Sequence, residues 1–151
     1  MPRIILKTLI YAPIETCFNL ARSIDLHKES MKHTNEQAVA GTIEGLIELG
    51  ESVTFKARHF GITMKLTSKI TEFQYPDMFM DEMVKGPFDS MKHRHIFQAS
   101  EAYTIMVDEF EYTSPLGILG KFADTLFLKS YMKKLLRQRN HILKDTAESS
   151  V

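Results

Sequence analysis

Hydrophobic and polar residues change period twice along this chain, and the changes divide it into three parts. Arg3 to Ile10 is rich in Ile and Leu and predicts a strand. "YAPIETCFNLA" follows, where Pro13 suits a first helical position and Ile14, Cys17, Phe18 and Ala21 recur at one-face helical spacing. A second short helix is expected to start near Ser23 or Asp25, both good caps. From about Asn35 to Tyr112 the period becomes two. Glu36 to Ala40 suits a short strand, and Gly41, Gly45 and Gly50 punctuate the connection after it.

"SVTFKARHFGITMKLTSKITEF" is the clearest hairpin. A two-residue turn at Phe60-Gly61 pairs His59 with Ile62 and Phe55 with Leu66, which sets both apolar rows on one face. "PDMFMDEMVKGPF" gives another strand, ending at a Gly-Pro turn. Its acids are ambiguous: Met78, Met80 and Val84 favour Glu82 inward, whereas Phe79 and Met83 favour Asp81. Next come "DSMKHRHIFQ" and "AYTIMVDEFEY". A four-residue turn at Gln98 to Glu101 would pair Phe97 with Ala102, His93 with Met106 and Met91 with Asp108. Met91, His93, His95 and Phe97 then share a face with Met106, Asp108, Phe110 and Tyr112, and Lys92, Arg94, Glu109 and Glu111 face solvent.

The third part, "SPLGILGKFADTLFLKSYMKKLLRQRNHILK", predicts one long helix. Leu119, Phe122, Ala123, Leu126 and Phe127 form a stripe that Met132, Leu135, Leu136 and Ile142 continue. About 29 residues would run on the order of 40 Å, enough to cross a sheet. Gly117 and Gly120 loosen its first turn, so its start is expected to fall later. The order is α+β: strand, two short helices, about six antiparallel strands, long C-terminal helix. A sheet of six or seven strands curls, and one helix cannot fill its concave face. The expected remainder is a cavity. Residues 1–146 make one domain in this reading, and 147–151 a flexible tail.

Composition narrows the partners. The 151 residues carry 19 Lys and Arg against 19 Asp and Glu, without the basic excess of a nucleic-acid binder. Lys129 to Lys144 nevertheless holds six basic residues and no acid. Lys129, Lys133, Lys134, Arg137, Arg139 and Lys144 are expected to form a solvated, dipole-complementing face, or a docking surface for an anionic membrane or acidic partner. The single Cys17 allows no intramolecular disulfide and sits on a helical apolar stripe, packing as a small hydrophobe. No apolar run approaches the ~20 residues of a membrane span, and the N-terminal "MPRIILKTLIY" lacks a signal-peptide core. A soluble cytoplasmic protein is expected. Nine Met residues suit an irregular, adaptable cavity. There is no Gly-rich phosphate loop, CxxC, HExxH or GxSxG.

The candidate chemistry is therefore in the cavity. His59, His93, His95 and Asp108 share the inward face with Phe55, Met64, Leu66, Met91, Phe97, Met106, Phe110 and Tyr112, and with Phe122 and Leu126 from the helix. The imidazoles could orient a mostly apolar ligand, act as acid and base (candidates His93 and His95), bind a metal, or form a structural network. H-x-H without a recognised third ligand makes metal the weakest, and no cofactor or metal is expected.

"APIETCF" after the first strand, "HFGI" at a hairpin, "GPF" before "HRHIF", and "DEFEYTSPLGILG" before the last helix carry a resemblance over nearly the whole chain. The sequence resembles the helix-grip superfamily of START domains, birch-pollen-type allergens and polyketide cyclases/dehydrases, most of all its small bacterial members. The resemblance implies a curved antiparallel sheet wrapped around the C-terminal helix and a hydrophobic tunnel between them. It also implies that the H-x-H-x-F strand lies against that tunnel. The function implied is binding of a small hydrophobic molecule such as a lipid, isoprenoid or polyketide. The alternatives are a cyclase/dehydrase-type enzyme, in which His93 or His95 removes a proton and Tyr112 or another histidine steadies the enolate, and a protein that docks through its basic helix.

Overall fold

The structure, a computed structural model, describes residues 2–115 and 127–150. β1 (Arg3–Ile10) leads into α1 (Ile14–Ala21) and α2 (Ile24–Ser30), then a 3-10 turn at Lys32–Thr34. Six strands follow: β2 (Gln37–Gly41), β3 (Ser52–His59), β4 (Ile62–Gln74), β5 (Met78–Lys85), β6 (Ser90–Ala99) and β7 (Thr104–Thr113). α3 (Lys129–Ser149) ends the described chain. All pairings are antiparallel, in the order β1-β7-β6-β5-β4-β3-β2. This is the α+β arrangement expected, with seven strands in the sheet.

Local chemistry explains most boundaries. Pro13 lies one residue ahead of its expected place, at the cap of α1 rather than inside it. Ser23 caps α2, its hydroxyl accepting from the Leu26 N–H at 3.1 Å. The β3–β4 turn holds Phe60 at φ 53° and Gly61 at φ 75°, the left-handed pair a tight hairpin demands. Its register is the expected one, His59 opposite Ile62 and Phe55 opposite Leu66. The β6–β7 register is not. Phe97 lies opposite Met106, His93 opposite Phe110 and Met91 opposite Tyr112, because the turn falls at residues 100–103 instead of 98–101. The shift is even, so the facing of every side chain survives it.

One other expectation fails. α3 continues to Ser149 with Ala147 fully buried, so residues 147–149 belong to the packed helix and not to a tail. The Lys144 ammonium donates to the Leu9 carbonyl and pairs with Glu148 at 2.9 Å, and Glu148 accepts from the Tyr11 N–H at 2.9 Å. These contacts tie the last turns of the helix to the end of β1. The start of the expected helix, with Leu119, Phe122, Ala123 and Leu126, lies outside the described residues.

The core has two apolar clusters. Phe18 of α1 anchors the first, its ring 5.1–5.4 Å from those of Phe73, Tyr75, Phe79 and Phe97. Ile10, Cys17, Met106 and Leu143 join it. The second contains Ile4, Met91, Phe110, Tyr112 and Leu136. On the outer face, Arg3 reaches Glu109 and Glu111, Arg94 reaches Glu109 and Lys92 reaches Glu82, exposed pairs of small energetic weight. Phe18→Ala should therefore cost about 3–5 kcal/mol, read from urea unfolding. A cost below about 1 kcal/mol would contradict a close-packed aromatic anchor.

Candidate functional site

A polar belt crosses the molecule between the two clusters. On β6, Met91 belongs to one cluster and Phe97 to the other, with His93 and His95 between them. On β7, Asp108 separates Met106 from Phe110. On α3, Arg139 and Asn140 separate Leu136 from Leu143. Ser68 of β4 and Asp81 of β5 complete the row. The alternation of each strand and the turn of the helix deliver these side chains to one level.

Asp108 is the hub. It is fully buried and accepts from Arg139 Nη1 at 3.1 Å, Asn140 Nδ2 at 2.7 Å and His93 Nε2 at 2.7 Å. Arg139, 4 % exposed, also donates to the Asn140 side-chain oxygen, the Ala21 carbonyl and His95 Nδ1. A guanidinium only donates, so His95 Nδ1 must accept, and its Nε2–H donates to Asp81 Oδ2 at 2.7 Å. Asp81 Oδ1 accepts from the Ser68 hydroxyl at 3.1 Å. The rings of His93 and His95 stack at 3.7 Å, and His95 stacks on Phe79 at 4.1 Å.

These contacts set the protonation. Burial disfavours a charged His95, and the neighbouring His93 and Arg139 add to that; they outweigh the attraction of Asp81 and hold its pKa at about 3. Burial would raise Asp81, but the hydrogen bond and charge of His95, with His93 and Ser68, bring it down to about 2. The same contest at Asp108 is decided by His93, Arg139 and His95, which keep it well below the usual carboxylate range against the effect of burial. The belt thus holds two carboxylates, one guanidinium and a neutral His95.

A cavity of about 470 Å³ lies beside the belt, between the sheet, α2 and α3. Of the residues expected to line it, His59, His93, His95, Phe55, Met64, Leu66, Met91 and Phe110 do so. Phe97, Met106 and Tyr112 do not: they are packed in the apolar clusters. Asp108 stands behind the wall and acts on it through His93. Phe122 and Leu126 lie outside the described residues. His59 is remote from the other histidines in bonding and pairs with the Tyr131 hydroxyl at 2.6 Å. Burial lowers its pKa and raises that of Tyr131.

Sequence reasoning misses Arg139 and Asn140 as site residues and leaves Asp81 open. Arg139 belongs by charge to the solvated basic run, yet it is buried; Lys144 is engaged as described above. Lys129, Lys134 and Arg137 are exposed and Lys133 partly so, with no acidic partner among the described residues. The signal for Arg139 is its spacing. Leu135, Leu136, Arg139, Asn140 and Leu143 form one continuous helical face, so the stripe passes through two polar residues. Asp81, not Glu82, faces inward; Glu82 pairs with Lys92 outside.

Asp81, His93 and His95 each offer one possible metal-ligand atom, all within 4.8 Å of one another. Asp81 and His95 already bond each other and His93 bonds Asp108, however, and a cation there would meet the Arg139 guanidinium against His95. The arrangement fits a hydrogen-bonded network better than a metal centre.

Two predictions test the belt. Arg139→Ala leaves Asp108 buried without its cation and should cost about 3–5 kcal/mol of stability, while an Asp108→Asn, Arg139→Met double change should recover part of the loss. Second, His95 has an ordinary value of 6.5 and a folded value of about 3, so between these pH values the unfolded chain takes a proton that the native protein refuses. Stability is then full above pH 6.5 and falls toward pH 3; Asp81, shifted from 3.8 to about 2, adds loss in the same direction below 3.8. Urea midpoints from neutral pH down to about pH 4 should fall, and His95→Gln should flatten the profile. An unchanged profile in that variant would mean His95 is not the buried neutral group.

No protein-family model matches the sequence, and no curated protein matches it significantly. Solved structures do match the fold. A Thermus thermophilus protein is 18% identical with a TM-score of 0.73, over 97% of this chain and 99% of that one. Ginseng major latex-like protein from Panax ginseng is 14% identical with a TM-score of 0.71, over 97% of each chain. The di-domain ARO/CYC StfQ from the steffimycin biosynthetic pathway is 11% identical with a TM-score of 0.78; the match covers 98% of this chain and 51% of that one. Seven antiparallel strands, two short helices after the first and a C-terminal helix beside the cavity give this chain the helix-grip fold of the START and birch-pollen-allergen-like proteins.

Proposed function

We propose that the protein binds a small, mostly hydrophobic molecule, of lipid, isoprenoid or polyketide type, between sheet and α3. One observation carries this reading: a cavity of about 470 Å³ whose walls are largely apolar and whose polar lining includes the belt groups Ser68, Asp81, His93, His95 and Arg139. That volume lies within the ~300–1,000 Å³ range of small-molecule pockets, which combine apolar walls with a few convergent polar groups. Phe55, Leu66, Met91 and Phe110 would supply affinity, and the belt would orient the ligand's polar end. Met side chains would let the wall adapt.

A second reading, acid/base chemistry of cyclase type, has one specific observation in its favour. His93 stands on the cavity wall with Nε2 held by Asp108, and its Nδ1 has no hydrogen-bond partner among the described residues. A carboxylate-held imidazole is the arrangement a general base requires. His95, with both nitrogens engaged, suits that role less, and Tyr112 lies outside the wall and would not reach an enolate. A structural neighbour named as an ARO/CYC is consistent with this chemistry.

Native mass spectrometry of freshly purified protein, followed by organic extraction, tests the first reading. A stoichiometric apolar molecule is expected, and Met91→Trp, which fills the cavity, should reduce its occupancy about tenfold or more. An empty protein with no thermal shift across lipids, isoprenoids and polyketides would overturn it. His93→Ala separates the two readings. Orientation alone predicts roughly a tenfold loss of affinity or less, whereas catalysis predicts lost turnover with binding retained.

A further inference from the structure

We infer that the belt reads a hydrogen-bond donor, so that the ligand group reaching it is an uncharged hydroxyl, such as a phenol, rather than a carboxylate or phosphate. This rests on the binding reading above and specifies the chemistry of its site. It follows from what each belt atom has left to give.

Most of the belt's donors are engaged. Arg139 directs Nη1 to Asp108 and Asn140, and Nη2 to the Ala21 carbonyl and His95. The Asn140 amide serves Asp108, the His95 Nε2–H serves Asp81, the His93 Nε2–H serves Asp108 and the Ser68 hydroxyl serves Asp81. Every one of these protons ends on another belt group or the backbone.

The acceptors are not used up. Each Asp81 oxygen accepts one hydrogen bond among the described residues and has a second lone pair. The Asp81 side chain is 20% exposed, the most open in the belt, and it forms part of the cavity wall. Ser68 and His93 also line the cavity. The Ser68 oxygen donates to Asp81 and keeps its own lone pairs.

Charge points the same way. The carboxylates of Asp81 and Asp108 face one guanidinium, whose Nη protons are engaged by Asp108, Asn140, the Ala21 carbonyl and His95. A ligand anion that reached this part of the wall would meet the Asp81 carboxylate. Leaving two acceptors face to face in an apolar cavity is costly. A hydroxyl fits instead, because its proton satisfies one of the acceptors that the belt turns toward the cavity.

Three probes of matched shape decide the matter by isothermal titration calorimetry at neutral pH: para-octylphenol, para-octylanisole and para-octylbenzoate. The phenol donates, the anisole only accepts, and the benzoate is an anion. The phenol should bind about tenfold or more tightly than either of the others, since a polar site left unpaired by the wrong ligand discriminates strongly. Anisole or benzoate binding as tightly as the phenol would overturn the inference and leave the cavity reading standing. Absence of binding by all three would count against the cavity reading itself. Asp81→Asn, which exchanges an acceptor oxygen for an NH₂ donor, should narrow the phenol–benzoate gap at least several-fold. An unchanged gap in this variant, shown folded by circular dichroism, would overturn the role of Asp81. Should the variant fail to fold, the three probes on the native protein decide alone.

Discussion

The buried contact between Asp108 and Arg139 is the constraint on which the arrangement depends. Removing a carboxylate and a guanidinium from water carries a penalty of several kcal/mol for each ion, and their attraction offsets it only when remaining lone pairs and protons find partners. Here they do. Asn140 and His93 complete Asp108, while Ala21 and His95 complete Arg139. The pair links β7 to the middle of α3 and, through the Ala21 carbonyl, to the end of α1. It therefore fixes the rotation of the helix over the sheet more tightly than apolar contacts could, because Leu136 and Leu143 would tolerate small rotations that the hydrogen bonds would not.

The same pair explains why His95 is neutral and why Asp81 is the accessible acid. A cation against His95 Nδ1 leaves only one tautomer and sends the remaining proton to Asp81. Asp81 is thus the outer end of a chain of hydrogen bonds that begins in the helix and finishes at the cavity wall. The polarity presented to the cavity is decided on α3, an element distant in sequence from β5, rather than by the wall residues alone.

Much of the fold is legible in the sequence because strand periodicity is robust to register error. The β6–β7 pairing is displaced from the expected one, yet the inward row of Met91, His93, His95 and Phe97 is unaffected, since an even displacement preserves facing. Depth is not legible. Phe97, Met106 and Tyr112 share the inward face with Met91 and Phe110, but whether a residue meets a cavity or another ring depends on what packs above it, and Phe18 decides that for Phe97. Arg139 is obscured because it sits among five other basic residues of the same helix, most of them at the surface, and charge alone does not separate the one that turns inward. Asp81 is obscured because β5 is apolar on both faces: Met80 is 7 % exposed and Phe79 is 2 % exposed.

The division of the core has an evolutionary consequence. Ile10, Cys17, Phe18, Met106 and Leu143 are closely packed and do not touch the cavity, whereas Phe55, Met64, Leu66 and Met91 border open volume. A substitution in the first group disturbs close packing; one in the second changes the shape of a space that is already unfilled. The shape of the cavity can therefore drift along the wall while foldedness is guarded elsewhere. A scaffold partitioned in this way can change the shape of its cavity without first becoming unstable, and its architecture persists in solved structures at 11–18% identity.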